Sequence, residues 1–178
     1  GIIMIFVANS LFSQKTNIFN QPDEDFRTAL ELFNKEKYGS AKVIFNKIAE
    51  NPQASRQDIL TAVRYYEAVC AVELYNPDAE NKLLSFVFDY PENSNINQAW
   101  LQLARYNYKK RSYKRALKAF DNIDVYYLNA EEVAEFHFKT GYSYFACKNY
   151  EPAKRAFYEI IDKESKYNSP ANYFYAHI

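Results

Sequence analysis

The stretch NQAWLQLARYNYKKRSYKRALKAF, residues 97–120, determines how the rest of the chain is interpreted. Ala104 lies in its first half and Tyr113 follows a short polar segment. Ala116 and Phe120 come next. An isolated amphipathic helix needs only an apolar stripe at steps of three and four residues. A small residue, an aromatic residue at a turn, a second small residue and a second aromatic residue together predict two helices packed as a hairpin.

The same order of residues returns along the chain, in five columns. The second small residue recurs at intervals of 38, 37 and 37 residues, as Ala41, Ala79, Ala116 and Ala153. The other four columns are Ala29, Ala68, Ala104 and Gly141; Tyr38, Tyr75, Tyr113 and Tyr150; Phe45, Leu83, Phe120 and Phe157; and Ile48, Phe86, Ile123 and Ile160. Since a short side chain lets two helix backbones approach, we expect the small residues where paired helices touch. The larger apolar residues continue the same buried stripe.

Helix boundaries follow the same register. The pattern predicts helices at about 22–36, 39–50, 56–75, 77–89, 96–110, 113–123, 130–147 and 150–162, and a ninth from 170. Ser55 with Asp58, and Asn129 with Glu132, have the spacing of capping boxes. Prolines at 77, 152 and 170 fit the first turn of a helix. No segment alternates with period two, so the sequence predicts an all-α fold.

These units resemble tetratricopeptide repeats. The matching residues are Trp100, Leu103, Ala104, Tyr113, Ala116 and Phe120 in the third unit, Gly141, Tyr144, Tyr150, Ala153 and Phe157 in the fourth, and Ala29, Leu32, Tyr38, Ala41 and Phe45 in the first. The second unit departs at Glu67, where the family prefers an apolar residue, and all units exceed the family period of about 34 residues. The resemblance implies a right-handed α-solenoid of about four repeats plus the first helix of a fifth. The repeat domain would cover 22–178, with units at about 22–54, 55–94, 95–129, 130–169 and a partial one at 170–178.

The N-terminal segment, residues 1–21, leaves two interpretations open. It is apolar as far as Val7 and then carries small residues, which is similar to the end of a secretory signal peptide. The alternative is a short apolar arm that packs on the first helix. In either case the apolar run is too short to span a bilayer.

The C-terminal segment also leaves two interpretations open. Ala171, Tyr173 and Tyr175 fall 37 residues after Ala134, Phe136 and Phe138, so a fifth unit begins there. Solenoid ends need a polar cap, which this segment does not supply. The chain is therefore either part of a longer repeat protein or a protein that self-associates through its terminal helix.

Charge and motifs argue against several classes of function. Twenty-two basic residues balance 22 acidic ones, so no overall field favours nucleic acid or an anionic membrane. The basic run Lys109, Lys110, Arg111, Lys114 and Arg115 is interpreted as a solvated helix joint. No phosphate loop, nucleophile elbow or zinc motif is present, so we expect no catalytic residue, cofactor or metal. Cys70 and Cys147 are expected to be small buried side chains, with a disulfide left open.

The resemblance also implies where a partner binds, because the first helix of each unit lines the concave side in this family. The residues implied are Phe26, Leu30, Phe33, Tyr65, Val69, Val72, Leu101, Arg105, Tyr108, Phe138, Tyr142 and Phe145. Arg105 and Lys109 are candidates to pair with a carboxylate of the partner. Alternatively, some of the aromatic side chains are buried between repeats.

The sequence therefore predicts a non-catalytic scaffold that binds another protein or peptide in this groove. Its signal-like start and its resemblance to periplasmic tetratricopeptide proteins predict export to the periplasm or the outer membrane; the alternative is the cytoplasm. A glycan- or nutrient-binding module at the outer membrane is the competing function. It predicts paired exposed aromatic residues flanked by Asp or Asn.

Overall fold

The computed structural model describes residues 15–52 and 55–178, with side chains from residue 23 onward. These residues form nine α-helices and no strand, which confirms the predicted all-α fold. The helices are α1 (Lys15–Asn34), α2 (Tyr38–Glu50), α3 (Gln57–Glu73), α4 (Ala79–Asp89), α5 (Ile96–Lys109), α6 (Tyr113–Phe120), α7 (Ala130–Ala146), α8 (Tyr150–Tyr158) and α9 (Asn168–His177). A short 3₁₀ helix, Val125–Tyr127, lies between α6 and α7. The predicted signal remnant or arm falls largely on residues 1–14, which lie outside the described residues.

The chain divides into two compact units between Leu74 and Tyr75, inside the second repeat predicted from the sequence. In the first unit, residues 1–74, α2 packs on both α1 and α3. The buried core of this unit contains Ala29, Ala41, Phe45, Ile48, Ile59, Val63 and Cys70.

The second unit, residues 75–178, contains α4 to α9. Each helix from α4 to α8 packs on the next one in sequence, and α7 also contacts α5 and α9. A buried cluster near the end of this unit contains Ala134, Ala153, Phe157, Ile160 and Ala171. Successive helix packing of this kind is the helical repeat-like arrangement expected from the columns.

The small and apolar columns are buried throughout the described chain. All sixteen residues of the four non-tyrosine columns are in the buried class, from Ala29 to Ile160. Gly141 shows why a small residue is needed, since a Cβ atom built there would lie 2.8 Å from the ring of Phe157. The prediction that small residues mark the contact between paired helices is confirmed at this position.

Three joints share one backbone geometry. Glu36, Arg111 and Lys148 have positive φ angles of 57°, 57° and 62°, each two residues before a helix that begins with tyrosine. The amide of the residue after each one donates to a carbonyl five residues earlier: Lys37 to Leu32, Ser112 to Asn107, and Asn149 to Tyr144, all at 2.9 Å. This is the Schellman ending of a helix. It turns the chain sharply between α1 and α2, between α5 and α6, and between α7 and α8.

The tyrosine column packs at the same joints. The ring of the tyrosine lies edge-on to an aromatic ring of the preceding helix in the pairs Phe33–Tyr38, Tyr108–Tyr113 and Phe145–Tyr150, at 5.4, 5.9 and 5.8 Å. The second of the predicted repeats differs from the other three. Its tyrosine, Tyr75, itself has the positive φ angle, of 56°, and is mostly exposed.

Several predicted helix ends differ from the structure. The capping box at Asn129 and Glu132 is confirmed, whereas the one at Ser55 is wrong, because Arg56 occupies the N-cap and binds the Asp58 carboxylate through two nitrogens, at 3.1 and 2.9 Å. The helix α1 begins at Lys15 rather than near residue 22.

The helices α6 and α8 end earlier than predicted because their last turns tighten. The amide of Ile123 donates to the carbonyl of Phe120, and the amide of Ile160 to that of Phe157, both at 3.1 Å. Bonds over three residues are of the 3₁₀ type. They keep Ile123 and Ile160 buried although the α-helix has ended.

Candidate partner-binding surface

The six candidate residues of the first unit lie mainly in packing positions. Tyr65 and Val69 are buried, with 8% and 3% of their surface exposed. The rings of Phe26 and Phe33 pack on Tyr66, at centroid distances of 6.2 and 5.0 Å. The half-buried candidates are Phe26, Leu30, Phe33 and Val72. Sequence reasoning did not single out Tyr66, whose ring contacts those of Phe26, Phe33 and Tyr65.

The candidates of the second unit come together in a row of rings. Tyr108 of α5 lies 5.8 Å from Tyr142 of α7, and Tyr142 lies 6.3 Å from Phe138 and 6.4 Å from Phe145, between centroids. All four are half-buried, so each ring keeps part of its surface exposed. We call these four residues the aromatic strip. Leu101, which was predicted on the same face, is fully buried.

Four further rings extend the strip. They are Tyr113, 5.7 Å from Tyr142; Tyr150, 5.8 Å from Phe145; Phe174, 5.2 Å from both Tyr142 and Phe145; and Tyr167, stacked 5.3 Å from Phe138. The tyrosine column already placed Tyr113 and Tyr150 at the joints, and that register is the signal that could have assigned them to this surface. Phe174 and Tyr167 belong to α9 and to the segment before it, where the repeat is incomplete.

Arg105, a candidate from the sequence to pair with a partner's carboxylate, already forms an ion pair within the chain. Its guanidinium donates two hydrogen bonds to the carboxylate of Glu135 on α7, at 2.9 and 2.6 Å. Lys139, one turn further along α7, also donates to Glu135. Glu135 is only 8% exposed, and this buried carboxylate requires the two cations. The ion pair therefore ties α5 to α7.

The protonation of Glu135 follows from the same contacts. Burial alone would raise the pKa of its carboxyl group, but the hydrogen bonds from Arg105 and Lys139 outweigh burial and hold the pKa below its ordinary value of 4.5. Burial alone would likewise lower the pKa of Arg105, but the hydrogen bond to Glu135 and the negative charges of Glu135 and Glu132 together raise it.

Lys109 is also engaged within the chain. Its ammonium group donates to the hydroxyl of Tyr75 at 2.6 Å and lies 4.2 Å from the centroid of the Tyr75 ring. Both residues are exposed, so the contact is a surface one. The two cations proposed from the sequence to meet a partner's carboxylate thus already have partners in the second unit.

The hydroxyl group of Tyr108 in the aromatic strip stays protonated around neutral pH. Burial, and after it the neighbouring Tyr142 and Tyr113, raises the pKa of Tyr108 further above its ordinary value of 10.0. The ammonium of Lys139 lies 5.3 Å from the centroid of the same ring. What the strip offers a ligand is therefore ring faces, ring edges and hydroxyl groups, a chemistry that suits apolar and aromatic side chains.

The described residues were also compared with the requirements of a metal site, a reactive cysteine and a membrane span. Among them, no three His, Cys, Asp or Glu side chains are arranged to hold a metal ion. In the same part of the chain, both cysteines are free, and burial raises the pKa of Cys70 to about 12. None of the helices formed by residues 15–52 and 55–178 combines the length and the apolar character needed to cross a bilayer.

Comparison with known proteins adds no family to this description. No protein-family model matches the chain, and no curated protein matches it with significant sequence similarity.

Proposed function

We propose that the chain is a non-catalytic interaction scaffold of the tetratricopeptide type, which binds a segment of another protein on the aromatic strip. The observation that carries this proposal is the strip itself: four half-buried aromatic residues on α5 and α7 of one unit, with the rings of Tyr108, Phe138 and Phe145 packed on that of Tyr142. Aromatic residues are enriched at the points of protein interfaces that contribute most to affinity. The charged groups of Arg105, Lys139 and Glu135 are paired with one another, which favours an apolar segment over a charged one at the strip's centre.

The proposal includes a right-handed solenoid of about four repeats. It is supported by the three joints at Glu36, Arg111 and Lys148, which repeat one geometry, and by the burial of the columns in register. The contact of α7 with both α5 and α9 resembles the stacking of first helices in successive repeats. In such a stack the first helices share one face, and α5 and α7 carry the strip.

The experiment that tests the proposal is photo-crosslinking in native cells. A benzophenone amino acid replaces Tyr150, which is 48% exposed and packs on Phe145 of the strip; the matched control replaces Phe88 of α4, which is 70% exposed. We expect a discrete crosslinked protein from position 150 and none from position 88. The product should decrease by about 30-fold when Tyr108→Ala and Tyr142→Ala are added, since central aromatic residues contribute about 2 kcal/mol or more. The same product from both positions contradicts the proposal, provided that circular dichroism shows equal folding.

Export to the cell envelope is part of the proposal and rests on the signal-like N-terminal residues and on the resemblance to periplasmic tetratricopeptide proteins. Fractionation of the native cells, with the chain detected by antibody, tests it. Recovery with cytoplasmic markers contradicts it and leaves the scaffold proposal intact.

A glycan-binding module is the second candidate function, and one specific observation favours it. Tyr126 and Tyr127 are 87% and 68% exposed and lie edge-on at 5.5 Å. The turn that carries them is fixed, because Asp124 accepts a hydrogen bond from the amide of Tyr126 and its backbone exchanges two bonds with the side chain of Asn97. Paired exposed rings next to Asp and Asn are the pattern that this function requires.

Affinity electrophoresis in gels that contain soluble polysaccharides tests the second function. If it holds, the parent is retarded and the variant Tyr126→Ala, Tyr127→Ala migrates freely. The control Tyr158→Ala, at another exposed ring, should be retarded like the parent. Free migration of all three proteins in every polysaccharide would exclude this candidate.

A further inference from the structure

A basic cleft lies at the joint between α5 and α6. Its walls are formed by Arg111, Ser112, Tyr113, Lys114, Arg115 and Cys147, and its volume is about 320 Å³. The sequence indicated a solvated joint here, with cations spread over its surface. The structure instead arranges three of those cations around one concavity of the second unit.

The cations of the cleft differ in their partners. Arg115 donates to both carboxylate oxygens of Glu80, at 3.1 and 3.2 Å. Arg111 and Lys114 are exposed and form no ion pair with any carboxylate of the described residues. Two positive charges therefore border a concave surface without a compensating negative charge in that part of the chain. Charge complementarity favours an anionic ligand.

Tyr113 connects the cleft to the aromatic strip. Its ring is a wall of the cleft and also lies 5.9 Å from Tyr108 and 5.7 Å from Tyr142. The basic cleft and the strip are thus adjacent parts of one surface on the second unit. A ligand that occupies both must carry apolar groups for the rings and negative charges for Arg111 and Lys114. A small free anion would use the charges and leave the rings unused.

We propose that the basic cleft binds carboxylate side chains of the partner segment, so that the ligand of this surface is an acidic polypeptide segment with apolar or aromatic residues beside its acidic ones. The proposal rests on the proposed function, because it takes the strip as the other half of the same site. Arg111 and Lys114 are the residues that select the charge, and Tyr113 is shared by both halves.

Cys147 provides a direct test because it is one of the residues that line the cleft. It is half-buried, whereas Cys70 is fully buried, and the variant Cys147→Ser gives the background reaction. The first measurement compares the rates at which an anionic and a cationic methanethiosulfonate of similar size modify Cys147. Their ratio reports the local potential, since both reagents attack the same thiolate. We expect the ratio of the anionic to the cationic rate to be several-fold higher for Cys147 than for free cysteine. In the variant Arg111→Glu, Lys114→Glu we expect this ratio to fall below that of free cysteine.

The second measurement identifies the ligand. A synthetic peptide in which glutamates alternate with leucines and phenylalanines is titrated while a neutral reagent, iodoacetamide, alkylates Cys147 in the full chain. We expect this peptide to protect the thiol at a concentration about tenfold lower than its glutamine counterpart does, because two pairs of exposed charges are involved. The variant Arg111→Gln, Lys114→Gln should abolish that difference.

The outcomes separate this inference from the function on which it rests. A reagent ratio equal to that of free cysteine, or equal protection by the glutamate and glutamine peptides, overturns the acidic ligand. Protection by inorganic phosphate as strong as that by the peptide also overturns it, in favour of a small-anion site. In the variant Tyr108→Ala, Tyr142→Ala we expect the reagent ratio to persist and peptide protection to weaken. Undiminished protection in this variant would remove the strip from the site and contradict the proposed function, while the cleft stands.

Discussion

Gly141 of α7 lies directly against the ring of Phe157 of α8. A methyl group there would come within 2.8–3.1 Å of three atoms of the Phe157 ring, which is fully buried and cannot move aside without disturbing the core. Gly39 in α2 is the opposite case, because a Cβ atom there would meet nothing within 4 Å. Substitution by alanine therefore has different effects at the two positions. At Gly39 it reports the gain in helix propensity, whereas at Gly141 it also includes the cost of overpacking.

We expect Gly141→Ala to lower the free energy of unfolding by about 1–3 kcal/mol, as overpacked cores do. Gly39→Ala should raise it by up to about 1 kcal/mol, because alanine favours the helix. Urea titrations followed by circular dichroism measure both values. An equal gain in the two variants would mean that α7 and α8 have room to separate.

Lys148 adopts the left-handed backbone conformation that glycine adopts more easily than other residues. Its φ angle is 62°, and no ion pair or hydrogen bond involves its ammonium group within the described residues. The left-handed conformation costs a residue with a Cβ atom about 1–2 kcal/mol, and glycine does not have this steric cost. Glycine loses more conformational entropy on folding, but that penalty is smaller than the steric cost it avoids.

Lys148→Gly should therefore stabilise the protein, by about 0.5–1 kcal/mol. Lys148→Ala is the control, since it removes the same charge and keeps the Cβ atom, and we expect little change from it. Thermal melts of the two variants measure the difference. Equal stabilities would show that relief of the backbone conformation contributes nothing at this joint.

The pairing of Arg105 with Glu135 couples two helices that are not adjacent in sequence. Because the pKa of Glu135 lies below its ordinary value in the folded state, the carboxylate stabilises the fold above the unfolded pKa of about 4.5 and that contribution is lost as the pH falls through the folded pKa. The sign follows from proton binding, since the unfolded chain takes up this proton at a higher pH than the folded chain does.

Glu135→Gln should make the free energy of unfolding less dependent on pH below about 4.5 than it is in the parent. The measurement is a series of urea titrations from neutral pH downward, and slopes are compared rather than absolute stabilities. Glu164→Gln, at an exposed carboxyl group, should leave the slope close to that of the parent. Identical slopes for all three proteins would show that the α5–α7 ion pair does not contribute to acid unfolding.

Elements built from local spacing were predicted well, and those that depend on tertiary contacts were not. The columns around Ala116 and Ala153 gave the helix pairs and their buried faces, because packed helices impose that spacing. Asn129 was recognised as a cap for the same local reason. Glu135 was missed because a carboxylate within an apolar pattern reveals nothing about the cations that another helix brings to it. Ser55 was wrong because Arg56 takes both the cap position and the Asp58 carboxylate.

At the scale of the whole molecule, the chain contains two compact units. Trp100 is the only tryptophan and lies in the second unit, edge-on to Phe88 at 6.2 Å. Its fluorescence thus follows the second unit alone, whereas helical circular dichroism follows both. The two signals together can report whether the units unfold as one.

We expect Val63→Ala, at a fully buried position of the first unit, to cost about 2 kcal/mol and to shift the urea midpoint by circular dichroism but not by Trp100 fluorescence. Leu101→Ala, fully buried in the second unit, should shift both midpoints. If Val63→Ala moves the two midpoints together, the chain unfolds as a single cooperative unit.

Within each unit, the packing of each helix on its neighbours in sequence also bears on how fast the protein forms. Contacts between residues close in sequence form by closing short loops, which costs little conformational entropy. Proteins dominated by such contacts therefore fold in about microseconds to milliseconds. The joints at Glu36, Arg111 and Lys148 assist this, because each hairpin can form before distant helices arrive. A chain of this design spends little time with its aromatic surfaces uncovered, which limits aggregation while it is being synthesised.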